Sequence, residues 1–313
     1  MTMSSTSRDT VIHRPRLWLS ARREEAFWGY LFLLPWIIGF LVFTGGPILA
    51  SAVIGFTDYN IVLAPHWVGL KNYATLFRDV HFFNSLRVTA TYAVVVIPGG
   101  IAGSLGLALL MNQKVKGVTV FRTLYYLPNI LSGVATAIIW VWLFNPDPRR
   151  GMINMLLHVF GIDGPKWLQS MTWALPAVML TALWGIGGST AVIFLAGLQD
   201  VPEQLYEAAK IDGAGAISRF WHVTVPLMTP MIFFTFITGI IGTLGTFTGP
   251  FIMTQGGPGD ATMFYGIYIY QNAFVALKMG YASGMAWLMF LVVGLISALN
   301  FYLSRYWVYY EAG

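Results

Sequence analysis

The chain has 313 residues, of which 57% are hydrophobic and only 10% charged, with a net charge of +5 and no cysteine. Soluble domains carry about 25% charged residues, so this composition excludes an ordinary water-soluble protein and describes a chain dissolved in lipid. Disulfides and thiol chemistry are excluded as well, and the scattered Lys and Arg form no basic stripe for nucleic acid; membrane lipid headgroups are their partner.

In chain order, six windows lack Asp, Glu, Lys and Arg: residues 26–57, 88–113, 123–146, 167–199, 220–259 and 279–304. Each is at least 24 residues long, and about 20 residues at 1.5 Å rise cross a hydrocarbon core. The pattern predicts an all-α, polytopic integral membrane protein with six transmembrane helices. Ahead of the first window stand Arg8, Arg14, Arg16, Arg22 and Arg23. The apolar segment behind them is too long for a removable secretory peptide and lacks its small-residue cleavage signal, so it reads as an uncleaved anchor.

Placing the N-terminus inside puts 11 basic residues inside, including Lys114, Lys116, Arg122, Lys210, Arg219 and Arg305, against 7 outside. Both termini are then cytoplasmic, the outer loops are 58–87, 147–166 and 260–278, and 200–219 faces the cytoplasm. Strong breakers flank a short apolar helical piece, 152–160, in the second outer loop. Residues 261–277 are charge-free but too short and too rich in Tyr, Gln and Asn for a crossing, and read as an interfacial or re-entrant helix. Trp140, Trp142, Trp173, Tyr302, Tyr306 and Trp307 read as interfacial anchors. No internal repeat or long linker divides the chain. The expected organisation is a tail (1–26), one membrane domain (27–305) and a short C-terminal tail (306–313).

Four charges crowd into Glu203 to Gly215, EQLYEAAKIDGAG. Pro202 and Glu203 suit a helix start, Leu205, Ala208 and Ala209 give a narrow apolar face, and Asp212-Gly213 stops the helix. A second short piece, 216–223, precedes Pro226, giving a helix-turn-helix between spans four and five.

The run from Gly197 to Pro230 carries Glu207, Ala208 and Ala209, then Gly213, then Pro226-Leu227. It resembles the signature loop of permease subunits of binding-protein-dependent ABC importers. FTDYN (56–60), WVGLKNY (67–73), FRTLYYLP (121–128) and TQGGPG (254–259) are similar to segments of the carbohydrate-uptake branch, of the maltose or glycerol-phosphate permease type. The resemblance covers 27–305. It implies a bacterial-type plasma (inner) membrane subunit forming the pathway for a sugar, oligosaccharide or sugar-like solute. The implied partners are a second permease, generally an unlike chain, two ATPase subunits and an extracytoplasmic solute-binding protein. Glu207, Ala208, Ala209, Asp212 and Gly213 would then form a coupling helix seated in the ATPase. ATP and Mg would be held by the ATPases and no cofactor by this chain, since Gly-Lys, needed for a phosphate-cradling loop, occurs nowhere.

In span five Gly239, Gly242, Gly245 and Gly249 share a face that serves either close helix packing or the translocation pathway. On the second account Gly242, Thr243, Thr246 and Phe247 contact substrate, and the resemblance adds Trp184, Gly185 and Gly187 of span four. The rival class is a secondary, ion-coupled carrier, which would keep an intramembrane acid or histidine; the windows hold no acid. His13, His66, His81, His158 and His222 form no ligand-spaced pair, no metal site or carboxylate dyad is present, and no enzymatic role is expected.

Overall fold

A computed structural model describes residues 17–113, 120, 123, 125, 128–185 and 188–309. Among the residues singled out above, His13, Lys114, Lys116, Arg122 and Gly187 lie outside the described residues, as do 1–16 and 310–313 of the two tails. The described residues are helical, with one isolated β-bridge between Thr57 and Trp67. Their contacts separate two units, Met1–Val53 and Ile54–Gly313.

In the first unit α1 (Leu17–Phe40) passes through a π-helical turn, Leu41–Gly45, into α2 (Gly46–Ile54). The turn ends two residues before Pro47. Proline has no N–H, and its ring collides with the carbonyl four residues back in an ordinary helix. Widening one turn, with the Gly46 N–H donating to Leu41 C=O, lets the helix continue through it. Arg23–Ile54 is thereby 32 residues of apolar helix, long enough to cross a bilayer.

The second unit holds α3 (Lys71–Leu76), α4 (Val80–Met111), α5 (Gly133–Leu143), α6 (Met152–Val159), α7 (Ala174–Trp184), α8 (Ser189–Asp200), α9 (Glu203–Ile211) and α10 (Ala216–Arg219). Then come α11 (Val225–Leu244), α12 (Thr248–Thr254), α13 (Tyr265–Tyr270) and α14 (Met279–Trp307). Among the described residues four helices are long and apolar enough to span a membrane, Arg23–Ile54, Val80–Met111, Ala216–Leu244 and Met279–Trp307. A fifth arises if α7 and α8, bent by 48°, make one crossing. The window at 123–146 retains α5, shorter and apolar, with part of its length outside the described residues.

α4 is the post around which this unit packs. Leu105, Ala108 and Met111 form one core with Phe194, Leu198 and Met228 of α8 and α11. Val88 and Tyr92 form another with Ala177, Val178 and Phe264. At its start Asp79 caps the helix by accepting the His81 N–H and also accepts hydrogen bonds from the Tyr268 and Tyr281 hydroxyls. Burial alone pushes the Asp79 carboxyl up, but those hydroxyls and the His81 and Phe82 N–H groups together hold it below the usual carboxylate range. Burial, reinforced by the bond to Asp79, pushes the Tyr268 hydroxyl up to about 12.

Four expectations need correction. The window at 220–259 is not one helix: α11 ends at Leu244 and α12 starts at Thr248. A helix running on would press the Pro250 ring against the Thr246 carbonyl, whereas in the first turn of a new helix the missing N–H costs nothing. The piece 216–223 is not separate, because α10 continues through a π turn, Phe220–Thr224, into α11. That turn, with Val225 N–H donating to Phe220 C=O, ends two residues before Pro226 and repeats the device seen at Pro47. Trp140 is no interfacial anchor: it is buried, 5.1 Å from Phe144 and 5.8 Å from Trp184 between ring centroids. Finally, 261–277 does not lie on the surface as an interfacial helix. Tyr265 and Ile267 are fully buried, and Tyr265 donates its backbone N–H to Thr89 Oγ1 and its hydroxyl to Met285 C=O. The re-entrant alternative fits this burial.

Candidate functional site

α9 is built as a short, firmly ended rod. Pro202 occupies its N-cap position, Glu203 lies in the first turn and Lys210 in the last, each charge opposite to the helix pole beside it. At the far end Gly213 adopts φ +80°. Its N–H donates to Lys210 C=O at 3.0 Å, and the Ala214 N–H donates to Ala209 C=O at 2.9 Å, the paired bonds of a Schellman stop. Tyr206 reaches out of the rod to Thr224, with 2.9 Å between the hydroxyl oxygens. Thr224 is buried in the π turn that begins the α11 span, so the rod is pinned to that span by a side chain as well as by the chain.

The residues expected to act together here do lie together. Glu207, Ala208, Asp212 and Gly213 are exposed and Ala209 is half-buried. Beside them Ile211, at 86% exposure, and Ile217, at 78%, present large apolar side chains left uncovered among the described residues. The rod thus carries an aliphatic patch with the Glu207 and Asp212 carboxylates exposed near it, stopped at Gly213 and pinned at Thr224. The sequence signal for the Tyr206–Thr224 link is a lone tyrosine in an otherwise polar segment.

The pathway candidates divide. Gly185 and Thr243 line one cavity of about 190 Å³ with Gly239, Ser104, Thr190 and Thr235. It lies beside the bend between α7 and α8. Gly185 C=O accepts there both the Gly188 N–H and Asn129 Nδ2, each at 3.3 Å. A Cβ on Gly188 would fall 2.1 Å from Asn129 Oδ1, so only glycine leaves room for that amide. Asn129 was not foreseen; an amide within a charge-free window is its sequence signal.

Trp184, Gly242, Thr246 and Phe247 do not line this cavity. Trp184 packs edge-on against Trp140, Gly242 faces open space, and Thr246 donates its hydroxyl to Gly242 C=O. Phe247, at the break between α11 and α12, stacks one face on Phe251 at 4.9 Å and tilts against Tyr270. Gly239 is a packing glycine, since a Cβ there would meet Ile97 at 3.3 Å, and Gly249 belongs to α12, so the four-glycine face is not continuous. Among the described residues no group of His, Cys, Asp and Glu could hold a metal ion.

The profile of the family described as "Binding-protein-dependent transport system inner membrane component" matches residues 100–308, from the middle of α4 through the rod to the end of α14. The chain belongs to this family. The permease is 43% identical over 295 residues to the "Probable ABC transporter permease protein YesP" of Bacillus subtilis, covering 93% of this chain and 94% of the relative. It is 35% identical to the "Sulfoquinovosyl glycerol transport system permease protein SmoG" of Agrobacterium fabrum, covering 78% of each chain. It is 34% identical to the "Lactose transport system permease protein LacF" of Rhizobium radiobacter, covering 88% of this chain and 94% of the relative. A chain of a bacterial ABC transporter "involved in the import of the acidic polysaccharide alginate" superposes with a TM-score of 0.80 over 93% of the permease and 98% of that chain, at 24% identity, which establishes a shared fold. The permease is thus the membrane-embedded transport subunit of an ABC importer, an integral inner membrane protein.

Proposed function

We propose that the permease forms the translocation pathway for a sugar or oligosaccharide and is driven through α9 by an ATPase that it does not itself contain. The observation that carries this reading is the rod: an exposed aliphatic and carboxylate surface, Schellman-stopped at Gly213 and pinned at Thr224, uncovered among the described residues. A joint of that kind suits a rigid-body switch between inward- and outward-facing states. Ala208 and Ala209 allow close approach, Glu207 supplies a charge at the rim, and α10 carries the displacement into α11 without an intervening hinge.

The sugar assignment draws on relatives named for lactose and sulfoquinovosyl glycerol. The cavity at the α7–α8 break, lined by the hydroxyls of Ser104, Thr190, Thr235 and Thr243, offers neutral hydrogen-bonding groups of the kind that suits an uncharged polyhydroxyl solute. In this reading two ATPase subunits hold ATP and Mg, a second permease completes the pathway, an extracytoplasmic solute-binding protein delivers substrate, and both termini are cytoplasmic.

The test is purification of the permease with the products of neighbouring genes, followed by a screen of carbohydrates for stimulation of ATP turnover. A sugar that stimulates turnover, with stimulation lost on joint substitution of Glu207, Ala209 and Gly213, supports the proposal. Survival of both uptake and ATPase attachment in that triple variant would refute the docking role.

A further inference from the structure

We propose that α6 is a membrane-surface anchor, with its outward face immersed in the lipid boundary beside the ends of α5 and α7. The helix is amphipathic in the reverse of the usual sense. A surface helix of a water-soluble protein turns its apolar stripe inward, but here Met152, Met155, Leu156 and Val159, at the spacing of one helical face, are all exposed, and Phe160 continues that face. Val159 and Phe160 are 76% and 78% exposed. Turned inward are Ile153, against the core, and Asn154, which is fully buried.

Asn154 clamps the loop. Its Nδ2 donates to Pro146 C=O at 3.0 Å and to Pro165 C=O at 3.2 Å, tying the two limbs on either side of α6. Its Oδ1 accepts from Trp167 Nε1 at 2.6 Å. Ile153 and Trp167 pack on the core that contains Trp140 and Phe144 at the end of α5. The apolar face is therefore held outward by a rigid polar lock at the level where the spans end, and is not a floppy segment that could turn away from water.

Charge placement selects the occupant. Arg149 and Arg150 stand immediately before the helix N-terminus, the pole at which a cation is disfavoured. Arg150 reaches Asp147 only at 3.8 Å in an exposed pair, and Arg149 has no carboxylate within 4.0 Å among the described residues. Phosphate groups of lipids would satisfy both guanidinium groups while the five apolar side chains enter the acyl boundary, about 5–10 Å deep as interfacial helices do. A protein partner that must be released in every transport cycle calls for a polar rim, and this face has no polar side chain on it.

The cysteine-free sequence makes the test direct. Val159→Cys and Met155→Cys, with His158→Cys and Lys166→Cys as water-facing controls, are made singly in the full chain, spin-labelled and reconstituted in vesicles of phosphatidylcholine and phosphatidylglycerol. Collision rates with oxygen and with a water-soluble nickel chelate are compared. The proposal requires labels at 155 and 159 to be oxygen-rich and nickel-shielded, with both controls open to nickel. Nickel access at 155 and 159 equal to that at 166 would overturn it. Shielding that appears only when a purified solute-binding protein is added would also overturn it, and would reassign the face to protein docking.

Discussion

Replacing Gly213 isolates the stiffness of the rod from its chemistry. At φ +80° the residue lies in the left-handed region, and a Cβ built on it meets nothing within 4 Å. The penalty for a side chain is therefore conformational and not a collision: about 1–2 kcal/mol for an L-residue forced left-handed, less for Asn, whose short polar side chain tolerates that region. One to two kcal/mol is a factor of about 5–30 in an equilibrium, here between the stopped rod and a frayed end that loses the Lys210 and Ala209 bonds. Gly215, with φ −69° and equally open space, is the matched control. Uptake in cells and co-purification of the ATPase subunits, measured together, should fall in the order Gly213, Gly213→Asn, Gly213→Ala, Gly213→Val, with Gly215→Ala unchanged. Equal behaviour of Gly213→Val and Gly215→Ala would refute the argument that a rigid stop matters.

Other substitutions probe the remaining joints. Tyr206→Phe removes the hydroxyl partner of buried Thr224, a loss of about 0.5–1.5 kcal/mol, and should speed hydrogen exchange across α9 without altering that of α4; uniform exchange would contradict the pinning role. Gly188→Val should fail to assemble because its Cβ collides with Asn129, and Gly188→Val with Asn129→Ala should recover part of the yield; no recovery would deny the Asn129 wedge. Gly242→Val should leave assembly intact, having no neighbour within 4 Å, while Gly239→Val, against Ile97, should lower thermal stability; the reverse ranking would overturn the distinction between an open and a packing glycine. Because Asp79 is held below its usual range, its contribution to stability is present above the unfolded carboxylate value near 3.9 and is lost as pH falls through the lower folded value. Thermal unfolding followed from pH 6 downward, a range of about three units chosen from those values, should show a fall below about pH 4 that Asp79→Asn lacks; identical profiles would remove Asp79 from that role.

Much of the fold is legible in charge and proline alone. Charge-free windows locate the crossings because an uncompensated charge in hydrocarbon is costly, and the stop at Gly213 follows from the helix-ending role of glycine. Less legible is where a window breaks inside itself. Pro226 and Pro250 look alike in sequence, yet a π turn carries the chain through the first and a fresh helix begins at the second, because only at Pro250 do Gly245 and Gly249 leave the backbone free to part. The burial of Trp140 is hidden for a related reason: its distance from the window's end says nothing about which side of α5 meets Phe144 and Trp184. For Thr246 and Phe247 the sequence predicts one continuous helix; the break before α12 leaves Thr246 bonded to Gly242 C=O and Phe247 stacked on Phe251. Asn129 and Tyr206 are not legible from spacing, because each makes a hydrogen bond to a residue distant in the chain.

The most direct measurement places a single cysteine at Ala208 in this cysteine-free chain and maps its crosslinks in membranes that contain the whole transporter. The coupling account predicts crosslinks to the ATPase subunit at high yield, with the yield changing between nucleotide-free and ATP-trapped states. A residue 208 that crosslinks only to lipid or to soluble reagent, in a complex that still hydrolyses ATP and transports, would contradict it.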